Sequence, residues 1–334
     1  MGAQATVGGK ARRAARVAVG LARPSSRPRY VAAVRRRLRS NEFSSGDPNE
    51  ICLVCGAGRP KRKTIRYSKD PNTVCDVRVC RRCGHVGNPD NVHDYRNFQK
   101  LEKLPLRARV GTEQRQGREF YMAKMAAEML GRPNLSVLVY GAGRSFDNKH
   151  IEALPNVHRV AVADVMKLRD DTEFVDINQP ANQKFSLVLA SEVVEHFLNP
   201  QEDFQSLFNY VEDDGLLLCS TNVYDGSDLA KHKYIFIPGH TSYYTPEALA
   251  HIARSNGYYI DFRVPWVATG YGGPRKRYLF LTKDLSLLTN IACYFGKRMY
   301  APSERPHADT ELAEAIAAEK KQAAQQKQDK AAGD

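Results

Sequence analysis

The spacing of hydrophobic and polar positions changes along the chain, and each change predicts an element. Ser136 to Tyr140 is a short apolar run of β-forming residues that stops at Gly141-Ala-Gly143. A buried parallel strand followed by a sharp turn has this pattern. Further strands are predicted at 158–163, 173–177, 184–190 and 215–220, alternating with helices at 145–154 and 200–211. The alternation predicts a mostly parallel α/β sheet with helices on both faces.

The segments on either side of this region complete the predicted sheet. Residues 113–130 have a helical rhythm and lead into it. Thr245 to Gly257 predicts a helix with Thr245 as N-cap and Pro246 at its first position. Two neighbouring strands, 258–264 and 277–282, follow this helix. We therefore expect a Rossmann-like α/β fold with an antiparallel closing edge.

Four cysteines form two matched pairs before this sheet. Cys52-Leu-Val-Cys55 and Cys80-Arg-Arg-Cys83 are separated by 24 residues, and a glycine follows each pair. Glycine allows a tight knuckle, and four thiolates in two knuckles form a tetrahedral zinc site. Two hairpin-like stretches, 63–67 and 74–79, accompany the pairs. The pattern predicts a small zinc ribbon with a structural Zn²⁺, because four protein ligands leave no open position for catalysis.

The positive charge of the chain is concentrated at its start. Eleven of the 50 Lys and Arg residues lie within residues 1–41, which contain no acid. In the rest of the chain the other 39 are nearly balanced by 37 Asp and Glu. A basic segment rich in Arg, Ala and Ser, with scattered prolines, predicts a disordered arm. A basic helix on an anionic membrane and a transit peptide are the alternatives. No run reaches the roughly 20 apolar residues of a membrane span, and we expect a cytoplasmic protein, with peripheral membrane contact through the arm as a further option.

These observations predict five regions along the 334 residues. They are the arm (1–45), the zinc-ribbon module (46–96), a linker with the lead-in helix (97–133), the sheet domain (134–290) and an Ala/Lys/Gln-rich tail (291–334).

Acidic residues follow two of the predicted strands where a cofactor would bind. Asp164 lies 21 residues after Gly143, and Asp176 ends the next strand. In an open α/β sheet, ligands bind at the carboxyl ends of the strands. The sequence thus predicts a nucleoside-cofactor site. A nicotinamide cofactor is disfavoured, because the third glycine of its fingerprint would have to stand where Phe146 is.

Three segments together resemble the class I S-adenosylmethionine-dependent methyltransferases, in particular the small-molecule type with an N-terminal zinc module. They are VLVYGAGRS, VAVAD and FSLVLASEVVEHF, and GHTSYYTPEALAHIARSNGY is similar to a later segment of that family. The resemblance implies that Gly141 and Gly143 approach the methionine moiety, and that Asp164 binds both ribose hydroxyls. It also implies that Asp176 and Ile177 contact the adenine. Ala190, Ser191 and Glu192 would then line the cofactor cleft.

The same resemblance implies methyl transfer to a small metabolite, with a sugar or glycan-precursor hydroxyl as the expected acceptor. Because an acceptor proton must be removed, His240 and His196 are the candidate bases. Three positions depart from the family pattern, namely Val139, Ser145 and Ser186. They leave a non-catalytic binding module as one alternative. The other alternative is an RNA-modifying enzyme in which the zinc module and the basic arm bind nucleic acid. The oligomeric state is not encoded in any of these patterns.

Overall fold

A computed structural model describes residues 50–93, 110–265 and 275–300, and the single positions 318, 321 and 325. Three predicted segments lie outside the described residues. They are the arm at 1–45, the first part of the linker at 97–109, and the tail beyond residue 300 except for those three positions. No helix within the described part of the chain has the length and apolarity needed to cross a membrane.

A seven-stranded sheet forms the larger part of the described chain. Its strand order is β10-β11-β8-β7-β4-β5-β6. Strands β4 to β8 run parallel, while β11 is antiparallel to β8 and to β10. The strands are β4 (Leu135–Tyr140), β5 (Val157–Asp164), β6 (Glu173–Asp176), β7 (Phe185–Ser191), β8 (Val211–Asn222), β10 (Tyr259–Arg263) and β11 (Lys276–Thr282). The predicted α/β class and its antiparallel closing edge are confirmed.

Helices cover both faces of the sheet because alternate strand residues point to opposite sides. Leu138 and Val188 belong to one buried cluster, whereas Val137 and Leu189 belong to the other. Helices α3 (Pro200–Phe208) and α4 (Pro246–Ser255) pack on the first face; α1 (Arg118–Leu130) and α5 (Leu285–Tyr300) pack on the second. Helix α2 (Asp147–Glu152) follows the glycine turn after β4.

Helix α5 crosses the predicted end of the sheet domain. The sheet domain was predicted to end at residue 290, which lies inside this helix. Ile291 and Phe295 are fully buried against α1 and the sheet. Because these apolar side chains follow the Leu287 position at helical spacing, the packed domain extends into the region that composition assigned to the tail.

The cysteine-containing region forms a second, four-stranded sheet of order β1-β2-β3-β9. The hairpin β1 (Lys61–Tyr67) and β2 (Asp70–Val79) pairs with β3 (Val86–Gly87). The last strand, β9 (Ser242–Tyr243), comes from the loop before α4. The predicted ribbon is therefore completed by a strand from far along the chain, and it is continuous with the larger domain.

Candidate functional site

The four predicted zinc ligands lie together and are buried. Cys52 Sγ is 3.7 Å from Cys83 Sγ, and Cys55 Sγ is 3.6 Å from Cys80 Sγ. A tetrahedron with Zn–S bonds of about 2.3 Å has edges of about 3.8 Å, so this donor set fits one zinc ion. We refer to these four residues as the cysteine cluster.

The knuckles have the backbone geometry that the glycines predict. Gly56 and Gly84 have φ of 65° and 73°, a conformation that side chains other than glycine rarely adopt. Their N–H groups donate to the carbonyls of Cys52 and Cys80 at 2.9 and 3.1 Å. The backbone N–H of Cys83 also points at Cys80 Sγ, 3.5 Å away.

Direct hydrogen bonds join the cysteine cluster to the larger domain. The Thr245 hydroxyl donates to the carbonyl of Cys83 and accepts from the N–H of Ala248, so it caps α4 as predicted. Gln201 Nε2 donates to the carbonyl of Val54 at 2.5 Å. The knuckles thereby hold the start of α4 and of α3.

The glycine turn after β4 is shaped for a close approach. Gly141 has φ 68°, and a Cβ there would lie 2.6 Å from Val193 Cγ2, so only glycine fits. Gly143 has φ 53°, and a Cβ there would meet nothing within 4 Å. The space in front of Gly143 is open to a ligand.

Asp164 ends β5 beside this turn. Its Oδ2 accepts the Gly143 N–H at 2.9 Å, and its Oδ1 accepts the Val165 N–H at 2.7 Å. Burial raises the pKa of Asp164, although these two backbone donors partly offset the effect. A carboxylate has about four acceptor positions, so acceptor capacity is left for a ligand.

Asp176 and Ile177 are placed next to Asp164 by the sheet register. Asp176 pairs with Asp164 across β5 and β6, and the N–H of Ile177 donates to the Asp164 carbonyl at 3.3 Å. The Asp176 carboxylate accepts from the N–H of Asn178 at 2.9 Å. The structure thus brings the predicted ribose and adenine contacts to one edge of the sheet.

The residues predicted to line the cofactor cleft lie together at the end of β7. Ala190 and Ser191 are buried, and Glu192 has φ 57°, which is uncommon outside glycine and is found at sites of function. The Glu192 carboxylate forms an ion pair with Lys276 and accepts from the Ser220 hydroxyl at 3.1 Å. Burial opposes ionisation of Glu192, but the positive charges of Lys276 and Arg118 outweigh it and lower the pKa.

The two predicted histidines meet beyond Glu192. The rings of His196 and His240 are 4.9 Å apart between centroids, and Glu195 completes a group whose ligand atoms lie within 4.8 Å of one another. We refer to Glu195, His196 and His240 as the Glu–His cluster. Burial and the neighbouring His196 lower the pKa of His240 to about 3, so its imidazole is neutral. Burial and Glu192 raise the pKa of Glu195.

Three residues of this site were not predicted from the sequence. Arg118 starts α1 and reaches the carbonyl of Ser191, with Nη2 3.4 Å away. Lys276 comes from the closing edge, and Glu195 lies in the Glu-Val-Val-Glu-His segment after β7. Only Glu195 carried a local signal, namely its position three residues after Glu192 and directly before His196.

The three departures from the family pattern have structural roles. Val139 is buried within β4, and the Ser145 hydroxyl donates to Glu119 Oε2 at 3.4 Å. Ser186 and Ser136 exchange hydrogen bonds between β7 and β4, with 3.0 Å from the Ser186 N–H to Ser136 Oγ. Ser186 lies at the start of β7, the end opposite Ser191, so it is remote from the cleft.

One family model matches the part of the chain that contains the glycine turn, Asp164 and the Glu–His cluster. Residues 114–261 match a family model described as a methyltransferase domain. No curated protein matches the sequence at a significant level. The match to the domain confirms the predicted enzyme class, an S-adenosylmethionine-dependent methyltransferase.

Several solved structures share part of the fold. The 1,6-didemethyltoxoflavin N1-methyltransferase of Burkholderia thailandensis is 20% identical, covering 49% of this chain and 77% of its own, with a TM-score of 0.36. The plantazolicin methyltransferase BpumL, solved with S-adenosylhomocysteine, is 15% identical over 50% of this chain and 86% of its own, with a TM-score of 0.38. At such identities and scores the similarity carries no information about the substrate.

Proposed function

We propose that the chain transfers a methyl group from S-adenosylmethionine to a hydroxyl of a small metabolite. The proposal starts from the match of residues 114–261 to a methyltransferase-domain model. A sugar or glycan precursor is the acceptor favoured by the resemblance described above. One observation supports the proposal most directly: the open glycine turn after β4 is hydrogen-bonded to the acid at the end of β5, with 2.9 Å between Gly143 N and Asp164 Oδ2.

The donor would bind along the carboxyl ends of β4, β5 and β7. Gly141 and Gly143 admit the methionine moiety, and the remaining acceptor positions of Asp164 bind the ribose hydroxyls. Asp176 and Ile177 border the adenine, in line with their place beside Asp164.

The acceptor would bind on the Glu192 side of the cleft. Methyl transfer is a displacement at the sulfonium carbon, so the protein mainly aligns the acceptor oxygen and receives its proton. Ala190, Ser191 and Glu192 would line the cofactor's part of the cleft at the end of β7. His240 and His196 would act as proton acceptors beside the acceptor oxygen. A neutral imidazole such as that of His240 has the lone pair this role requires.

The cysteine cluster would hold a structural zinc ion outside the reaction. All four donors are protein thiols, so the ion would have no open position for a substrate. Through Thr245 and β9 it would fix the loop that carries His240.

The deciding experiment is calorimetric titration of the full-length, zinc-loaded protein with S-adenosylhomocysteine. We expect one site with micromolar affinity and no binding of NAD. Asp164→Asn should weaken the binding about 10-fold to 100-fold, because a charged acceptor of two ribose hydroxyls becomes a neutral one.

Asp261→Asn is the matched control. Asp261 lies on β10, at the far edge of the sheet, and forms an ion pair with Arg263. Its replacement should leave the affinity unchanged. A folded, zinc-loaded protein without any affinity for S-adenosylhomocysteine would contradict the proposal and favour a binding module instead.

One observation favours the alternative of an RNA substrate. Lys61, Arg62 and Lys63 are all exposed on β1, which is an edge strand. Such a row could contact phosphates, and the affinity would then fall steeply with salt. The test is to measure RNA binding at several salt concentrations, in the wild type and with these three residues replaced by Gln. If binding weakens with salt and is lost in the variant, RNA becomes the favoured substrate in place of a small metabolite.

A further inference from the structure

The Glu–His cluster contains two buried polar atoms without a partner among the described residues. Glu195 is fully buried, and its Oε1 receives no hydrogen bond. His240 is 7% exposed, and its Nδ1 likewise has no partner. Leaving a buried polar atom unsatisfied is destabilising, so two of them in one cluster point to a binding site.

The surrounding hydrogen bonds orient the cluster inward. His196 Nδ1 lies 2.8 Å from the carbonyl of Gly239 and must donate to it, so the ring lone pair is on Nε2. Thr221 Oγ1 donates to Glu195 Oε2 at 3.2 Å, which leaves Oε1 as the oxygen without a hydrogen bond. Metal-binding histidines are fixed in this way, by a backbone carbonyl at the other ring nitrogen.

We propose that Glu195, His196 and His240 bind a divalent cation on the acceptor side of the cleft. Two imidazoles and one carboxylate, with further positions open, form a donor set for a first-row divalent ion. The ligand atoms lie within 4.8 Å of one another, whereas ligands about 2.1 Å from one ion are about 3.0 to 3.5 Å apart. Binding therefore draws the three side chains closer together.

The charges around the cluster favour a cation over a shared proton network. Lys276 is already paired with Glu192, whose Oε1 also accepts from Ser220. Glu195 forms no ion pair of its own within the described residues, because its side-chain hydrogen bonds come from the neutral hydroxyls of Thr221 and Tyr234. A cation at the open Oε1 would satisfy Glu195 and His240 together.

The consequence for catalysis rests on the proposed function. An acceptor hydroxyl bound to the cation becomes more acidic. Its proton leaves to solvent, the O–CH₃ bond forms as the S–CH₃ bond of the donor breaks, and the sulfonium becomes a neutral sulfide. In this mechanism His196 and His240 act as ligands, whereas without a cation they would act as bases.

To test the proposal, the cysteine cluster of the full-length protein is first filled with Zn²⁺. The protein is then titrated with Mn²⁺ and, in a separate experiment, with Co²⁺. Loss of the free Mn²⁺ signal in electron paramagnetic resonance counts bound Mn²⁺, and visible absorption follows Co²⁺. We expect one ion per chain, and at least tenfold weaker binding in His196→Asn, His240→Asn and Glu195→Gln.

Two further variants make the test specific. His232→Asn removes a histidine that bonds to Ser227 and Tyr243 outside the cluster, and it should bind like the wild type. Lys276→Met removes a nearby positive charge, and it should bind Mn²⁺ about threefold more tightly or better. A purely structural role of the cluster would not produce this opposite change.

Each outcome decides the proposal. It is overturned if neither ion binds to the folded wild type, if the His196→Asn protein binds as the wild type does, or if Lys276→Met weakens binding. His196 is half-buried, so its variant remains informative if the variants at buried Glu195 or His240 do not fold. S-adenosylhomocysteine titration of the same samples is independent, so loss of cation binding with donor binding intact rejects only the cation.

Discussion

The cysteine cluster and the Glu–His cluster are two buried groups of metal-type ligands with opposite local order. In the cysteine cluster only two residues separate the members of each pair, and backbone N–H groups of Arg82 and Cys83 point at Cys80 Sγ. The Glu–His cluster joins residues after β7 to a loop more than 40 residues later, and two of its atoms have no partner among the described residues. One is built by local turns, whereas the other is assembled by the tertiary fold.

The loop from Gly239 to Thr245 connects the two clusters. Gly239 accepts from His196, and His240 belongs to the Glu–His cluster. Ser242 and Tyr243 pair with β3, and Thr245 bonds to Cys83. The comparison therefore suggests a hierarchy in which the cysteine cluster folds the loop and the loop completes the Glu–His cluster.

Removing the zinc ion proposed for the cysteine cluster is the largest change that can break this hierarchy. Cys80→Ser, or treatment with a chelator, should lower the free energy of unfolding by several kcal/mol, because the metal binding energy of a small module is folding energy. Hydrogen exchange should increase at residues 240–245 together with residues 52–87. Thermal unfolding and exchange mass spectrometry measure both effects.

Cys75→Ser is the control for the cysteine variant. Cys75 is half-buried on β2, outside the cysteine cluster, and should change stability little. If exchange after zinc removal increased within the knuckles but not at residues 240–245, the hierarchy between the two clusters would be wrong.

The sequence predicted the sheet well because its signals are local. The buried runs of β4 and β7, the glycine turn after β4 and the cap at Thr245 each act over a few residues. The same holds for the two CxxC pairs. Composition describes only the average of the predicted tail, so it does not reveal that Ile291 and Phe295 are buried positions at helical spacing.

The Glu–His side of the cleft could be predicted only in part. His196 and His240 were found through resemblance, but nothing in their spacing shows that they meet. Arg118 and Lys276 reach the cleft from the two ends of the domain. Such contacts depend on strand order and helix packing. The spacing of residues in a single sequence does not predict either of these.

Asp147 is a further buried acid that can be compared with Glu195, because hydrogen bonds satisfy both of its oxygens without a cation. Asp147 is fully buried, and its two oxygens accept from the N–H groups of Gly117 and Glu119 at 2.6 and 3.0 Å. Burial and the neighbouring Glu119 raise the pKa of Asp147 to about 8. The folded state therefore keeps a proton that the unfolded chain loses near pH 4.

Stability should consequently fall as the pH rises from about 4 to 8, because the folded state binds more protons over this range. In Asp147→Asn the decline should be smaller by an amount on the order of a few kcal/mol. Urea unfolding at a series of pH values measures this slope. Asp170→Asn, at an exposed position, should keep the wild-type slope. Equal slopes in Asp147→Asn and the wild type would show that Asp147 is charged in the folded state.

The smallest expected effect concerns Thr245, which touches the cysteine cluster and begins the helix after the His240 loop. Thr245→Ala removes the acceptor for the Ala248 N–H, 3.1 Å away, and the donor to the Cys83 carbonyl. We expect a loss of about 1 to 2 kcal/mol in urea unfolding of the zinc-loaded protein. Thr245→Ser keeps the hydroxyl and should retain most of that stability. The contrary outcome is a serine variant that is as unstable as the alanine variant. The contact of the Thr245 methyl group near Gly84 would then link the clusters, in place of the hydrogen bond to Cys83.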